Sequence, residues 1–301
     1  MKAVTKHQVN QELRRFFRHL YVPPLAAAGL ALAPSVALAQ TPPAAVAAAP
    51  SVPTYADLAT LADAADLVIR VEIRRQTALE PERAPGLAPG FARLYIEART
   101  VALIAGRSGV GESLAYLVDV PLDERGKVPK LKNREMVLFA DPVAGRVGEV
   151  RLVGPGAQQA FTPELEARLR PILTELYAPD APPRITGISD ALAVPGTLAG
   201  ESETQIFLAT DDRSPVSITI LRRPGQPVAW GVSWGEIIDS AARPPEPDTL
   251  RWYRLACSLP AQLPSNANLA RDPVARRLAA ADYAFMIGAL GPCTRRVTSG
   301  K

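Results

Sequence analysis

Histidine is almost absent from this chain of 301 residues. Its two histidines, His7 and His19, both fall within the first 39 residues, so none remains from Gln40 onwards. That absence excludes a Ser-His-Asp triad, a Cys-His pair and a histidine-ligated metal or haem in the remainder. No loop has the oxygen-ligand pattern of a calcium site either. We therefore expect neither a metal nor a cofactor.

The first 39 residues contain a stretch without charge and have the layout of a signal peptide. A basic start precedes an apolar run from Leu25 to Leu38, and residues 37–39 form a small-residue cleavage site. We expect cleavage after Ala39 and a periplasmic or secreted product, with no transmembrane span after the leader is removed. An uncleaved anchor is the alternative, but the apolar run is shorter than the roughly 20 residues that a span needs. The paired arginines at 14 and 15 leave general secretion and twin-arginine export both open.

A large excess of basic charge is missing outside this leader. The whole chain has 34 Lys and Arg against 30 Asp and Glu, a formal net charge of +4. The leader holds five of the basic residues and one of the acidic ones, so 29 of each remain. Nucleic-acid binding needs a basic stripe on the folded domain. We therefore expect no nucleic acid among the partners.

Cysteine is as scarce as histidine, with only Cys257 and Cys293 present. The chain has no Cys-x-x-Cys spacing and no histidine to lower the pKa of a thiol, which disfavours a redox role. Two cysteines in an oxidising compartment pair by default, so we expect a disulfide between them. Two buried thiols are the alternative, because each cysteine follows an apolar run that resembles a helix.

Large apolar residues are rare in the segment 40–53, which is nearly all Ala, Pro, Val and Ser. This composition cannot form a packed core and predicts a linker. The proline-rich segment 178–183 cannot continue a helix and predicts a domain boundary. We therefore expect one domain at 54–180 and a second at 184–296.

The first predicted domain begins with a short capped helix and continues with strand patterns. Five runs begin at Leu67, Leu94, Leu114, Met136 and Val150. Five short antiparallel strands predict a small barrel of the oligonucleotide/oligosaccharide-binding (OB) type or an open sandwich. A helix that begins at Pro163 follows them.

The second predicted domain combines three strands with C-terminal helices, so the expected fold class is α+β. Three runs with turn-rich connections predict an antiparallel meander. The runs are 204–209, 216–221 and 228–234. Helices are predicted at 236–241, 250–256 and 273–290. In the last helix, Val274, Leu278, Ala281 and Phe285 share one apolar face.

Two groups of charged residues are candidate sites. Lys127, Lys130 and Lys132 are three of the four lysines after the leader and form a candidate anion-binding loop for phosphate, lipid headgroups or acidic glycans. A solvated loop is the alternative, since acidic neighbours offset much of its charge. Glu201 and Glu203 resemble a carboxylate pair, but glycoside hydrolysis needs two carboxyl groups that face each other across a cleft.

Three segments of the chain resemble segments of uncharacterised exported proteins of alphaproteobacteria. These segments are 121–131, 200–208 and 253–260. The resemblance covers nearly all of the chain after the leader and implies a periplasmic or secreted location. It implies no catalytic residue.

No catalytic motif emerges from these patterns. The predicted function is a non-enzymatic binding or interaction module of the cell envelope, with an envelope protein, a glycan or a lipid headgroup as its partner. The alternative is a histidine-free hydrolase of envelope glycans that uses carboxylates.

Overall fold

Strands form most of the regular structure. The structure, a computed structural model, describes residues 52–235 and 242–298. The helices in these residues are α1 (Tyr55–Ala64), α2 (Pro163–Leu176), α3 (Leu250–Ala256) and α4 (Pro273–Leu290). The strands are β1 (Leu67–Ala78), β2 (Phe91–Gly106), β3 (Ser113–Pro121), β4 (Glu135–Pro142), β5 (Val150–Leu152), β6 (Gln158–Ala160), β7 (Ile185–Pro195), β8 (Ser202–Thr210), β9 (Val216–Arg222) and β10 (Ala229–Trp234).

The six strands β1 to β6 form one antiparallel sheet with the order β3-β2-β1-β4-β5, and β6 also pairs with β4. Alternation along β1 produces its inner face, where Leu67, Ile69, Val71 and Ile73 are buried together with residues from β2, β3 and β4. β1 to β5 correspond to the five predicted runs. β6 is an addition that the sequence patterns did not indicate.

This sheet does not form a closed barrel, because β3 and β5 lie at its two ends. Within the described residues, a single parallel bridge, between Ala115 and Glu149, connects β3 with the β4–β5 hairpin. The predicted α+β class is confirmed, but the OB-type barrel is not.

A second antiparallel sheet has the order β10-β9-β8-β7. β8, β9 and β10 are the predicted meander, and β7 extends it on the side of β8. The predicted helix 236–241 lies outside the described residues, as do the leader and residues 40–51 of the linker.

Helices α1 and α2 cover one part of the first sheet. Val68 on β1 is buried, as are Val137 and Phe139 on β4. They belong to the same apolar core as Leu58 of α1 and Leu169 of α2. This apolar core also contains buried residues of α3, α4 and the second sheet, from both sides of the segment 178–183. The division into two domains at that segment stays a prediction.

The sulfur atoms of Cys257, directly after α3, and Cys293, after α4, are 2.07 Å apart, which is disulfide distance. The geometry therefore fits the disulfide rather than two separate thiols. In the described part of the chain, no helix is both long enough and apolar enough to cross a membrane.

Candidate functional site

The outer face of the first sheet carries exposed apolar side chains on β2 and β3, whereas α1 and α2 pack on part of the outer face of β1 and β4. Because side chains alternate along a strand, Ile96 and Tyr116 point inwards and are buried. On the opposite face, Tyr95 and Leu117 are register partners and are 38% and 49% exposed. Phe91, on the same side of β2, is 41% exposed. Three large apolar side chains therefore face solvent on one surface, which we call the β2–β3 face.

An ion pair crosses this face between Phe91 and Tyr95. Nε and Nη2 of Arg93 donate to the two carboxylate oxygens of Asp119 at 2.7 and 2.8 Å. These hydrogen bonds raise the pKa of Arg93. The third nitrogen, Nη1, donates to the carbonyl oxygen of Pro85 at 3.2 Å and so connects the β1–β2 loop to the face. The guanidinium is therefore fixed in orientation, as planar bidentate pairs are.

A shallow depression of about 450 Å³ lies further along β2 and β3, and its lining includes Glu97 and Ala115, which are two positions from Tyr95 and Leu117. Its lining includes Arg74, Glu97, Arg99, Glu112, Ser113 and Gly148. Glu72 beside it accepts a hydrogen bond from Arg99 at 2.8 Å and lies 2.9 Å from Arg74. The Nε of Arg99 is buried and has no hydrogen-bond partner among the described residues. The depression thus offers polar groups of both charges next to an apolar surface.

The outer edge of β3 is largely unpaired. The N–H of Ala115 donates to the carbonyl oxygen of Gly148 at 2.7 Å, so the main-chain groups of this residue point away from β2. Leu117 and Asp119 follow at intervals of two and direct their main-chain groups to the same edge. Within the described residues neither forms a bridge to another strand. An edge of this kind can pair with a further strand.

The predicted lysine loop lies between β3 and β4, at residues 122–134. Lys127, Lys130 and Lys132 are all exposed, and none of them lines the depression. The structure therefore separates this loop from the depression.

The two candidate carboxylates lie elsewhere, in and beside the β7–β8 hairpin. Glu201 accepts a hydrogen bond from the N–H of Leu198 at 3.3 Å. Glu203 is exposed on β8 and accepts one from the Gln205 amide at 2.7 Å. Neither lines the depression beside β3. Nor do the described residues include a group of three or more side chains that could hold a metal ion.

A second depression, of about 460 Å³, lies where the described chain begins. Its lining includes Tyr55, Arg168, Trp252 and Arg296. Arg168 donates to the carbonyl oxygen of Pro53 at 2.7 Å, and the Trp252 indole donates to that of Leu290 at 2.8 Å. These two hydrogen bonds join α2 to the segment before α1 and α3 to the end of α4. Arg168 and Trp252 therefore have a structural role in this depression.

Sequence reasoning did not single out Tyr95 or Leu117. The available signal was weak: each is an apolar residue at a position where the alternation of its strand places exposed side chains. Their proximity depends on the register between β2 and β3, which alternation alone does not determine.

The chain matches no protein-family model, and a search of curated proteins finds no match. The resemblance to exported alphaproteobacterial proteins stays a prediction.

Proposed function

We propose that the protein is a non-enzymatic interaction module of the cell envelope, which binds an extended segment of another envelope protein along β3. The observation that carries this proposal is that Leu117 combines an exposed apolar side chain with main-chain groups at an unpaired strand edge. Its side chain is exposed beside that of Tyr95, and its main-chain groups belong to the unpaired edge of the strand.

Strand addition explains why both features occur together. In this binding mode, the main chain of the partner forms hydrogen bonds with an exposed edge, and alternate side chains enter neighbouring sites. Leu117 and Asp119 supply the main-chain groups, while Tyr95 and Leu117 supply an apolar contact. The depression around Arg99, which is lined by charged side chains such as Arg74 and Glu97, receives a polar residue of the same segment.

We also propose that the first sheet is an OB-like, partly open barrel. Its order β3-β2-β1-β4-β5 and the bridge from Ala115 to Glu149, which brings β3 near β5, support this view. Folds of this type bind ligands on the surface of strands two and three. The likeness supports a binding role for this surface but does not identify the ligand.

A location outside the cytoplasm is part of the proposal. The leader-like residues 1–39 support it, and so do the two cysteines at disulfide distance. No observation favours the hydrolase alternative, because Glu203 is exposed and hydrogen-bonded to Gln205.

The test uses the full chain in its native envelope, cross-linked and then separated into protein, peptidoglycan and lipid fractions. Leu117→Lys places a charge on the proposed contact surface. Leu198→Lys is the matched control, since Leu198 is 61% exposed in the β7–β8 connection, far from β3 in the sequence. We expect one protein partner, whose recovery falls at least tenfold in L117K and is unchanged in L198K.

Amide hydrogen exchange in the purified complex identifies the contact surface. The amides of Leu117 and Asp119 should exchange more slowly in the complex, whereas that of Thr219 in the second sheet should not change. The proposal fails if the recovered partner binds L117K as well as the parent protein. It also fails if the peptidoglycan fraction alone is enriched and glycan fragments are released, a result that supports the hydrolase.

A further inference from the structure

The loop between β3 and β4 has a fixed main chain. The side-chain amide of Gln76, on β1, donates to the carbonyl oxygen of Pro129 at 2.9 Å. Its oxygen accepts a hydrogen bond from the N–H of Leu131 at 2.6 Å. The side chain of Leu131 is buried against the inner face of the first sheet. The loop is thus held at its centre, and its basic side chains extend from an ordered main chain.

The neighbouring acidic side chains do not neutralise the lysines directly. Asp123 accepts hydrogen bonds from the main-chain N–H groups of Arg125 and Lys127 at 2.9 and 2.8 Å, within its own turn. Glu135 forms an ion pair with Arg70 at 2.5 Å. Residues 122–134 contain five basic and two acidic residues, a local excess of positive charge in a chain that is balanced beyond its leader.

The type of cation is also unusual in this loop. Every lysine among the described residues lies here, and the other basic residues in that part of the chain are arginines. Arginines in this protein form directed pairs, such as Arg93 with Asp119 and Arg254 with Asp63. Within the described residues, Lys127, Lys130 and Lys132 form no ion pair with a carboxylate.

A lysine ammonium is a mobile, hydrated point charge, whereas a guanidinium presents a rigid planar fork. Three such charges on exposed side chains that line neither of the two depressions suit an extended anionic surface better than a small ligand. Anionic phospholipid headgroups form a surface of this kind, and basic residues close to it are attracted within about one Debye length.

We propose that the loop 122–134 is an electrostatic docking surface for membranes that contain anionic phospholipid. This inference is independent of the partner proposed for β3. Each lysine close to an anionic bilayer should increase binding about 5-fold, so that the three together contribute about 100-fold.

The test measures co-sedimentation of the full chain with lipid vesicles at low ionic strength. One set of vesicles is phosphatidylcholine alone, and the other contains about one-third phosphatidylglycerol. We expect binding only to the second set, and about a 100-fold loss in K127Q/K130Q/K132Q. The control variant R83Q/R271Q/R277Q removes the same charge from three exposed arginines outside this loop and should retain the binding.

The variant K127R/K130R/K132R keeps the charge and should also bind, which separates lost charge from a disturbed loop. Inorganic phosphate should displace the protein no better than chloride at the same ionic strength. Stronger displacement by phosphate would mean a discrete phosphate site and would overturn the proposal. Equal losses in the lysine and arginine variants, or equal binding to both sets of vesicles, would also overturn it.

Discussion

The carboxylate of Asp57, in the first turn of α1, accepts a hydrogen bond from the main-chain N–H of Thr298 at 2.9 Å, although 241 positions separate the two residues. The same carboxylate accepts the Thr298 hydroxyl and the N–H groups of Arg296 and Val297. Thr54 completes the set with its own N–H and hydroxyl. Asp57 is fully buried, so the free energy of folding depends on these donors.

Asp57→Asn should lower the free energy of unfolding by about 2 to 4 kcal/mol. An amide has one acceptor oxygen, and its NH₂ group would face N–H donors. Urea denaturation measures the change. Asp180→Asn is the control, because Asp180 is exposed, and it should change the free energy by less than about 0.5 kcal/mol. Equal midpoints for the two variants would contradict the importance of the buried carboxylate.

Acid should destabilise the fold through the same group. Burial alone would raise the pKa of Asp57, but hydrogen bonds from Thr54, Arg296 and Thr298 outweigh it and hold the pKa well below its ordinary value of 3.8. For Asp63, burial is likewise outweighed by Arg254 and Arg184, which lower its pKa. When the folded pKa is the lower one, the unfolded chain takes up protons first as the pH falls.

The stabilisation by these carboxylates is therefore complete above the unfolded pKa and is lost as the pH falls towards the folded pKa. Urea midpoints should be constant down to about pH 5 and then decline continuously towards about pH 2. Asp57→Asn should show a shallower decline than the parent protein. A parallel decline in both would indicate that other groups determine the acid sensitivity.

Arg254 should be worth more to stability than Arg184, although both contact Asp63. The side chain of Arg254 is 7% exposed and donates two hydrogen bonds to the carboxylate at 2.7 and 2.9 Å. The side chain of Arg184 is 53% exposed. Arg254→Met should therefore reduce the free energy of unfolding by about 3 kcal/mol, and Arg184→Met by less than about 1 kcal/mol. Thermal and urea unfolding of the two variants test this order, and the reverse order would refute it.

The cysteine pair should stabilise the protein by restricting the unfolded chain. Cys257 and Cys293 are 36 positions apart, and closing a loop of that length contributes about 3 to 4 kcal/mol on the chain-entropy model. Reductant should lower the urea midpoint of the parent protein. It should leave C257A/C293A unchanged. Free thiols at both positions in the exported protein would refute the pairing.

Local signals in the sequence predicted several elements accurately. The helix expected at 273–290 has those bounds in α4, because Asp272 caps its start and accepts the N–H of Ala275, and Gly291 ends it. The strands β1 to β5 were also predicted, and β1 was recognised from its alternation. Caps, glycines and alternation act over a few residues, so they can be read without knowledge of the fold.

Long-range packing explains what the sequence did not predict. The apolar face expected for α4 is not the buried one, since Val274 and Phe285 are exposed. The helix instead buries Asp282, which accepts hydrogen bonds from Thr204 and Arg222 on the second sheet. A buried charge of this kind depends on these partners, which are 78 and 60 positions away, and no local pattern contains them.

The candidate surfaces show the same division. Lys127, Lys130 and Lys132 follow the run predicted from Leu114 and precede the run predicted from Met136, and the structure places them between β3 and β4. The role of Gln76 in holding the lysine loop depends on contacts across more than 50 positions, which the sequence pattern does not encode.

The contact between Asp57 and residues 296–298 has a consequence for the order of events during synthesis. While the chain is still growing, α1 carries a carboxylate whose remaining hydrogen-bond donors do not yet exist. Burying that carboxylate early would leave its charge in an apolar layer with Thr54 as its donor and without the donors of residues 296–298. The helical layer should therefore complete its packing only after residues 296–298 have emerged from the ribosome, even if the first sheet has already folded.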